Sequence, residues 1–471
     1  MEKIYYIAKN AYKKREPEYP MARVTLRKNT AAYQTRRTTA DAPKTRTHTL
    51  TKRIITLPGR TLLPASFFQR AITLPGRKPQ KRASDQSFSV LRANEKARLA
   101  AGPPKIDRRR MKKLALLLPG HNEELIIATT IRSAIAAGQS KRDIYVVDDC
   151  SSDQTRQEAI AILGKDHVLS VKRSGKALAV KKAIRKFDLD TEYQWLHIAD
   201  ADSVFGTDYF RIYKKKLDPK KYAVAVGFVQ SLRGNWISTY RAASYTYSQH
   251  VNRRVQAKLG MISVFPGPIT CFRTDLLSKL DFEANTLTED FDITLQVHRH
   301  KMGKILFIPK AVNYTQDPQS FMDFCKQNLR WQRGFFQGVK KYKIGLRPHA
   351  IDVSIGWQVW QAVFYLLQMF VLLPYMIATT GNWGLLPFVL AADFVVTGVI
   401  TLLSSVVIKR WNLIGALPYF YFLRWVEIGI FIMAFIEIYA LRKFQAEIRG
   451  WGTEGRRYKL DAAALKDAAA A

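Results

Sequence analysis

From Lys112 onward, short apolar runs alternate with longer stretches of helical spacing, a pattern that predicts an α/β sheet. Leu114–Leu118 reads as a buried strand ending at Pro119-Gly120, and Leu125–Ala137 repeats apolar residues at helical intervals. Ile144–Val147 is a second strand, closed by Asp148-Asp149 and followed by the capping cluster Ser151-Ser152-Asp153 and a helix from about Gln154. Val168–Val171, Trp195–Ile198, Ala223–Val229 and Ile305–Ile308 continue the series. Strands separated by helices imply a mainly parallel sheet that receives ligands at its strand C-terminal ends.

The pattern changes after about Ile355. Trp357–Thr379 and Leu385–Ile408 are each long and apolar enough to span a bilayer, and Ile414–Leu441 is a third apolar stretch. Uncharged Thr379–Gly384 is expected to face outward and Lys409-Arg410 the cytoplasm. A third full span would carry Arg442-Lys443 outside, against the positive-inside tendency. Part of Leu413–Leu441 is therefore expected to follow a re-entrant or interfacial path broken near Pro418; the alternative is a plain third span with an external tail. Arg424 and Glu427, one helical turn apart, are expected to pair, Glu437 has no local partner, and such intramembrane charge suggests a polar conduit.

Charge separates off the start of the chain. Of a formal net charge of +37, about +20 lies before residue 111, in a segment poor in apolar residues that reads as disordered or surface-lying. Anionic membrane lipid is its expected partner and a folded nucleic-acid module is disfavoured. The phrase Ile-Thr-Leu-Pro-Gly-Arg recurs at Ile55–Arg60 and Ile72–Arg77, and two copies do not make a repeat fold. No apolar run near the N-terminus has the length of a signal peptide. Cys150, Cys271 and Cys325 lack CxxC spacing, which argues against zinc or a disulfide framework and for a reducing, cytoplasmic face. The expected division is a basic segment at 1–110, an α/β domain at 111–317, an amphipathic interface helix at 318–352, a membrane region at 353–441 and a cytoplasmic tail at 442–471.

Three motifs carry candidate chemistry. Asp200-Ala201-Asp202 follows a buried strand, so two carboxylates emerge side by side at a strand end, a donor set suited to Mg²⁺ or Mn²⁺ gripping a diphosphate. Thr288-Glu289-Asp290 opens the helical stretch Phe291–His300, where an acidic residue also serves as an ordinary cap. Gln327, Arg330 and Trp331 share one face of a segment from about Ser320 to Tyr342 whose aromatic and basic residues suit a helix lying on a membrane surface. His298 and His300 read as exposed residues with no metal-binding partner, and His121 as part of a nucleotide pocket wall.

Taken in order, Pro119–Glu123, Val147–Ser151, Asp200–Asp202, Thr288–Asp290 and Gln327–Trp331 resemble the family 2 processive glycosyltransferases, which include cellulose, chitin, hyaluronan and poly-N-acetylglucosamine synthases. The resemblance implies an α/β GT-A (Rossmann-like) catalytic domain fused to an α-helical membrane domain, a UDP-sugar donor, inversion at the anomeric carbon and a growing polysaccharide or lipid as acceptor. It implies that Pro119, Asn122, Glu123, Asp148 or Asp149, Lys176 and Asp200 surround the nucleotide sugar, and that Asp200 and Asp202 hold the metal. Asp290, beside Glu289, would be the catalytic base; Gln327, Arg330 and Trp331 would frame the acceptor. Gly267–Arg273 resembles the acceptor-side loop of hyaluronan and chitin-oligosaccharide synthases, which adds Gly267 and Arg273 to the acceptor set. Trp451-Gly452-Thr453 resembles the WGTR element of that branch, implying a gating or diphosphate role for Trp451, Thr453 and Arg456, although Glu454 stands where the branch has arginine. The basic segment replaces the N-terminal membrane helices of many relatives. The leading expectation is a multi-pass cell-membrane polymerase with its catalytic domain cytoplasmic and a slight preference for UDP-N-acetylglucosamine. Single-sugar transfer to a lipid and a catalytically silent basic adaptor are the alternatives.

Overall fold

The structure, a computed structural model, describes residues 111–282, 286–345, 347, 349–443 and 458–460. The expectations for the basic segment and for Trp451, Thr453 and Arg456 lie outside them.

Eight strands form one sheet: β1 Lys112–Gly120, β2 Ile144–Asp148, β3 Val168–Ser170, β4 Tyr193–Ile198, β5 Ser203–Phe205, β6 Tyr222–Ser231, β7 Thr270–Arg273 and β8 Lys304–Thr315, in the order β3-β2-β1-β4-β7-β6-β8-β5. β1 to β4 are mutually parallel, β6 and β8 are parallel, and β7 runs antiparallel between β4 and β6. This parallel-rich sheet with helices on both faces is the GT-A-type α/β domain that the motifs imply. Alternation on β1 explains why its run is continuously apolar: Leu114, Leu116 and Leu118 enter one core with Trp195 and Phe210, whereas Ala115 and Leu117 enter the other with Leu196 and Phe265.

Helices α1 Ile127–Ala136, α2 Thr155–Leu163, α3 Lys176–Lys186 and α4 Tyr209–Lys216 cover the sheet. Helix α5, Trp236–Tyr247, starts where the Asn235 side chain accepts from the backbone N–H groups of Ile237 and Ser238, both at 3.0 Å. It continues as a wider turn through Ser248–Arg253. Helices α6, Glu289–Arg299, and α7, Phe321–Lys341, carry the second and third motifs.

Among the described residues three further helices are long and apolar enough to cross a membrane: α8 Ala350–Thr380, α9 Leu385–Ile408 and α10 Leu417–Ala440. Large apolar side chains such as Trp357, Phe370, Phe388 and Leu403 stay exposed on the first two, as a lipid-facing surface requires. α8 begins against the α/β domain, where Arg299 and Asp352 pair at 2.6 Å and Ile351 and Ile355 pack on Phe291 and Leu295. α9 returns to it, with Ser404 Oγ donating to Ala243 O at 3.4 Å and, just beyond, Arg410 Nη1 donating to Ser231 O at 3.0 Å.

α10 lies lengthwise along α7, from Phe321 against Phe422 to Phe336 against Phe431 and Tyr439. From Leu417 it is unbroken; the interruption expected near Pro418 lies just before it, between the short helix Asn412–Gly415 and Leu417, and Pro418 sits in the first turn of α10, where proline has no intrahelical partner to lose. The expected Arg424–Glu427 pair does not form. Arg424 pairs with Asp393 on α9 and donates to Tyr365 Oη at 2.9 Å, while Glu427 accepts from Tyr240 Oη at 2.6 Å. Neighbouring helices supply better-placed partners than the adjacent turn does. α7 is likewise no free surface helix, since Gln327, Asn328, Gly334, Phe336, Gln337 and Gly338 are buried.

Close approach of α6 and α7 depends on two α7 glycines. A methyl group at Gly338 would come within 2.6 Å of Phe291 Cε1, and one at Gly334 would overlap Thr288. Gly338→Ala is therefore expected to lower stability by about 1–3 kcal/mol, read as a lower thermal-unfolding midpoint of the detergent-purified chain.

Candidate active site

Because β1, β2 and β4 are parallel, Pro119, Asp148-Asp149 and Asp200–Asp202 arrive on one edge of the sheet. The turn after β4 is fixed by Thr130 on α1, whose hydroxyl donates to Ala201 O at 2.7 Å. Asp149 shapes the approach of Lys176: its carboxylate accepts from Ser174 N at 2.7 Å and Gly175 N at 2.8 Å, and Gly175, at φ +83°, turns the chain into α3. Lys176 Nζ then lies 2.6 Å from Asp200 Oδ1 and 2.9 Å from Glu289 Oε1.

Asp148 accepts from Ser151 N at 3.0 Å and Ser170 Oγ at 3.2 Å. Asn122, at φ +56°, accepts from Ser152 N at 2.8 Å. Asp148, Asp149 and Asn122 organise loops and do not line the cleft, unlike Pro119 and Glu123, which do. His121 is also off the cleft wall, with Nδ1 3.0 Å from Asp149 O.

At the start of α6 two adjacent carboxyls have opposite environments. Burial pushes the Glu289 carboxyl up, but the charge and hydrogen bond of Lys176 outweigh it and leave it below its ordinary range. Burial and the neighbouring Glu289 charge instead push the Asp290 carboxyl up to about 6. Adjacent acids driven apart in this way suit different roles, one a permanent anion and the other a group that can take a proton near neutral pH. Gly267 passes so close that a methyl there would meet Lys176 Nζ at 3.0 Å. Its loop is tied to α6 by Phe265 N donating to Thr294 Oγ1 at 2.8 Å.

On α7, Gln327, Arg330 and Trp331 reach the same cleft. Arg241 on α5 holds two of them: Nη2 donates to Gln327 Oε1 at 3.1 Å and the guanidinium sits 4.6 Å from the centre of the Trp331 ring. α7 is joined to α10 by Arg333, which donates to both oxygens of Glu437 at 2.5 and 2.7 Å. Arg273 does not reach the cleft. It pairs with Asp275 at 2.6 Å and donates to Pro219 O, because β7 carries it to the opposite end of the sheet from Gly267. His298 is half-buried, not exposed, with Nε2 2.8 Å from Ile262 O, whereas His300 is exposed.

The resulting cleft holds about 1000 Å³ and joins Pro119, Lys176, Asp200, Asp202, Glu289, Asp290 and Trp331 to Gln358 and Val359 of α8 and Phe431 of α10. Among the described residues no group of three or more His, Cys, Asp or Glu gathers as a metal cage. Asp200 and Asp202 offer two hard carboxylates at a strand end, a set that fits Mg²⁺ or Mn²⁺ when ligand and water oxygens complete the shell. The sequence did not mark Arg241, Arg333 or the Asp149–Gly175 contact; their partners lie too far along the chain for spacing to reveal.

Residues 112–334 match the family described as glycosyltransferase-like family 2. The chain is 24% identical over 258 residues to a poly-β-1,6-N-acetyl-D-glucosamine synthase of Staphylococcus epidermidis, covering 51% of this chain and 61% of that one. It is 24% identical over 237 residues to the enzyme of the same name from Staphylococcus aureus strain COL, covering 49% and 56%. The chain thus spans about six-tenths of the length of these relatives. Among solved structures it is similar to a mannosyltransferase from Pyrobaculum calidifontis in complex with GDP-Man and Mn²⁺, with a TM-score of 0.47, 14% identity and coverage of 75% of this chain and 96% of that one. It is also similar to glucosyl-3-phosphoglycerate synthase from Mycobacterium tuberculosis, with a TM-score of 0.35, 17% identity and coverage of 49% and 80%. The part of the chain that carries the motifs in order on the parallel-rich sheet, residues 112–334, is thus a glycosyltransferase-like family 2 domain.

Proposed function

We propose that this chain is a membrane-embedded, inverting glycosyltransferase that uses a UDP-sugar, by slight preference UDP-N-acetylglucosamine, to extend a β-linked polysaccharide and pass it into the membrane. The observation that carries the reading is Asp290. A carboxyl held up near 6 stands in the cleft that also contains Asp200, Asp202 and Trp331 and that continues to the apolar helices.

In this mechanism the acceptor hydroxyl gives its proton to Asp290 as its oxygen forms a bond to C1, and the bond from C1 to the diphosphate breaks on the opposite face, releasing UDP. Asp200 and Asp202 would hold Mg²⁺ or Mn²⁺, which supplies charge neutralisation to the leaving diphosphate. Lys176 keeps Glu289 ionised and holds the Glu289 and Asp200 carboxylates in place. Trp331, steadied by Arg241, offers an apolar face to the acceptor ring, with Gln327 and Arg330 beside it. Pro119 and Glu123 wall the nucleotide end.

The division at 1–110, 111–317, 318–352, 353–441 and 442–471 follows from this reading, with the basic segment drawn to anionic lipid. α8 and α9 form a spanning hairpin whose turn at 381–384 faces outward, which leaves the catalytic domain cytoplasmic. α10 takes a re-entrant or interfacial path along α7. The return of the chain to the catalytic domain, where Gln316 Nε2 donates to Tyr458 O at 2.7 Å, supports a tail on the cytoplasmic side. A cleft reaching Gln358, Val359 and Phe431 favours a polymer conduit over single transfer to a lipid, and product length on a gel separates the two.

Purified protein offered a panel of UDP-sugars is expected to release UDP in the presence of Mg²⁺ or Mn²⁺ and to stop on chelation; no release with any donor would leave only the silent-adaptor reading. Asp290→Asn should cut turnover by about 10²-fold or more while UDP binding stays near wild type, because the base is lost and the carboxylate pair is untouched. Because the base works only when ionised, turnover should rise with pH through about 6 and level off above it. A profile flat from pH 5 to 8, a range chosen to bracket that value on either side, would remove Asp290 from the role.

A further inference from the structure

Arg241 and Arg253 are both buried. The charges of Glu427 and Asp317 act on Arg241. Among the described residues Arg253 has no such acid: its side chain donates from Nη1 to Gln249 Oε1 at 2.8 Å, and its remaining electrostatic neighbour there is the buried Tyr213. Burial alone pushes its guanidinium down to about 10. A covered cation without a counter-charge is costly, and a guanidinium has five N–H donors to satisfy.

Gln249 cannot serve as the missing anion. It is fastened to β6, with Oε1 accepting from Val229 N at 2.9 Å and Nε2 donating to Val229 O at 2.6 Å, so it acts as a bracket that holds Arg253. Both residues line the cleft that contains Asp200 and Asp290. The charge balance of that cleft points the same way. Acids outnumber bases among its lining residues, and Lys176 is already shared between Asp200 and Glu289. An incoming sugar nucleotide is itself anionic, and Arg253 is a cation not committed to any carboxylate among the described residues.

We propose that Arg253 is an oxyanion-binding residue of the cleft, held by Gln249 for a negatively charged oxygen of the sugar nucleotide. This inference rests on the sugar-nucleotide reading above and assigns a residue that none of the three motifs contains. The same chemistry has two sources, the diphosphate or a carboxylate on the sugar, and each leaves a different mark.

Binding of UDP, UDP-N-acetylglucosamine and UDP-glucuronate to the full chain in detergent would be measured by calorimetry for wild type, Arg253→Gln and Arg253→Lys, with thermal unfolding of each protein without nucleotide. Arg253→Gln is expected to weaken binding by at least about tenfold, ~1.4 kcal/mol, for all three ligands if the diphosphate is read and for UDP-glucuronate alone if the carboxylate is. Arg253→Lys should lose less. The nucleotide-free Arg253→Gln protein should unfold at or above the wild-type midpoint, because an uncompensated buried charge has been removed. Equal affinity of wild type and Arg253→Gln for all three ligands would overturn the inference and leave the sugar-nucleotide reading standing. So would weakened binding accompanied by a lowered midpoint in both variants, which marks a packing role. Wild-type protein that binds none of the three overturns both.

Discussion

Lys176 lies between two carboxylates that come from different parts of the fold, Asp200 after β4 and Glu289 at the start of α6. Burial would lower the ammonium, and the two acids more than compensate, holding its charge firmly in place. Around this contact the loop before α3, the acidic turn after β4, the Gly267 loop and the second motif converge. With the positive charge spent on Asp200 and Glu289, Asp290 is left beside an anion in a buried setting, and its raised carboxyl follows. The position of one ammonium thus determines which of two neighbouring acids can exchange a proton near neutral pH.

The same region is joined to the apolar helices through α7. Glycines at 334 and 338 let α7 settle onto Thr288 and Phe291, so the Gln327–Trp331 motif and the Thr288–Asp290 motif keep a fixed separation. Leu287 N donating to Gln337 Oε1 at 2.8 Å, and Asp292 taking Lys341 and Tyr342 at 2.7 and 2.6 Å, close the junction at further points. The start of α6 and the helix α7 are therefore packed against each other at several points.

Legibility in the sequence followed interaction range. β1, β2, β4 and β6 announce themselves because strands buried on both faces are continuously apolar. β5 and β7 do not: they are three and four residues long, and their identity comes from antiparallel partners elsewhere in the chain. Asp200, Asp202, Asp290 and Trp331 were readable from motif order, and the structure places all four on one cleft. Arg273, near enough in sequence to Gly267 to be grouped with it, lies at the other end of β7. Arg241 contacts Gln327 across 86 residues and Tyr240 contacts Glu427 across 187, separations at which no periodicity carries information. The Arg424–Glu427 expectation failed for the same reason, since one-turn spacing permits a pair but does not outcompete Asp393 or Tyr240.

α10 meets the catalytic part at two charged points, Glu427 with Tyr240 and Glu437 with Arg333. Ten residues of helix separate them, about 15 Å along its axis. A rod pinned once can pivot, and a rod pinned twice cannot change its angle without releasing one pin. Any motion that opens the cleft toward Phe431 while both contacts hold must therefore carry α5, α7 and α10 together.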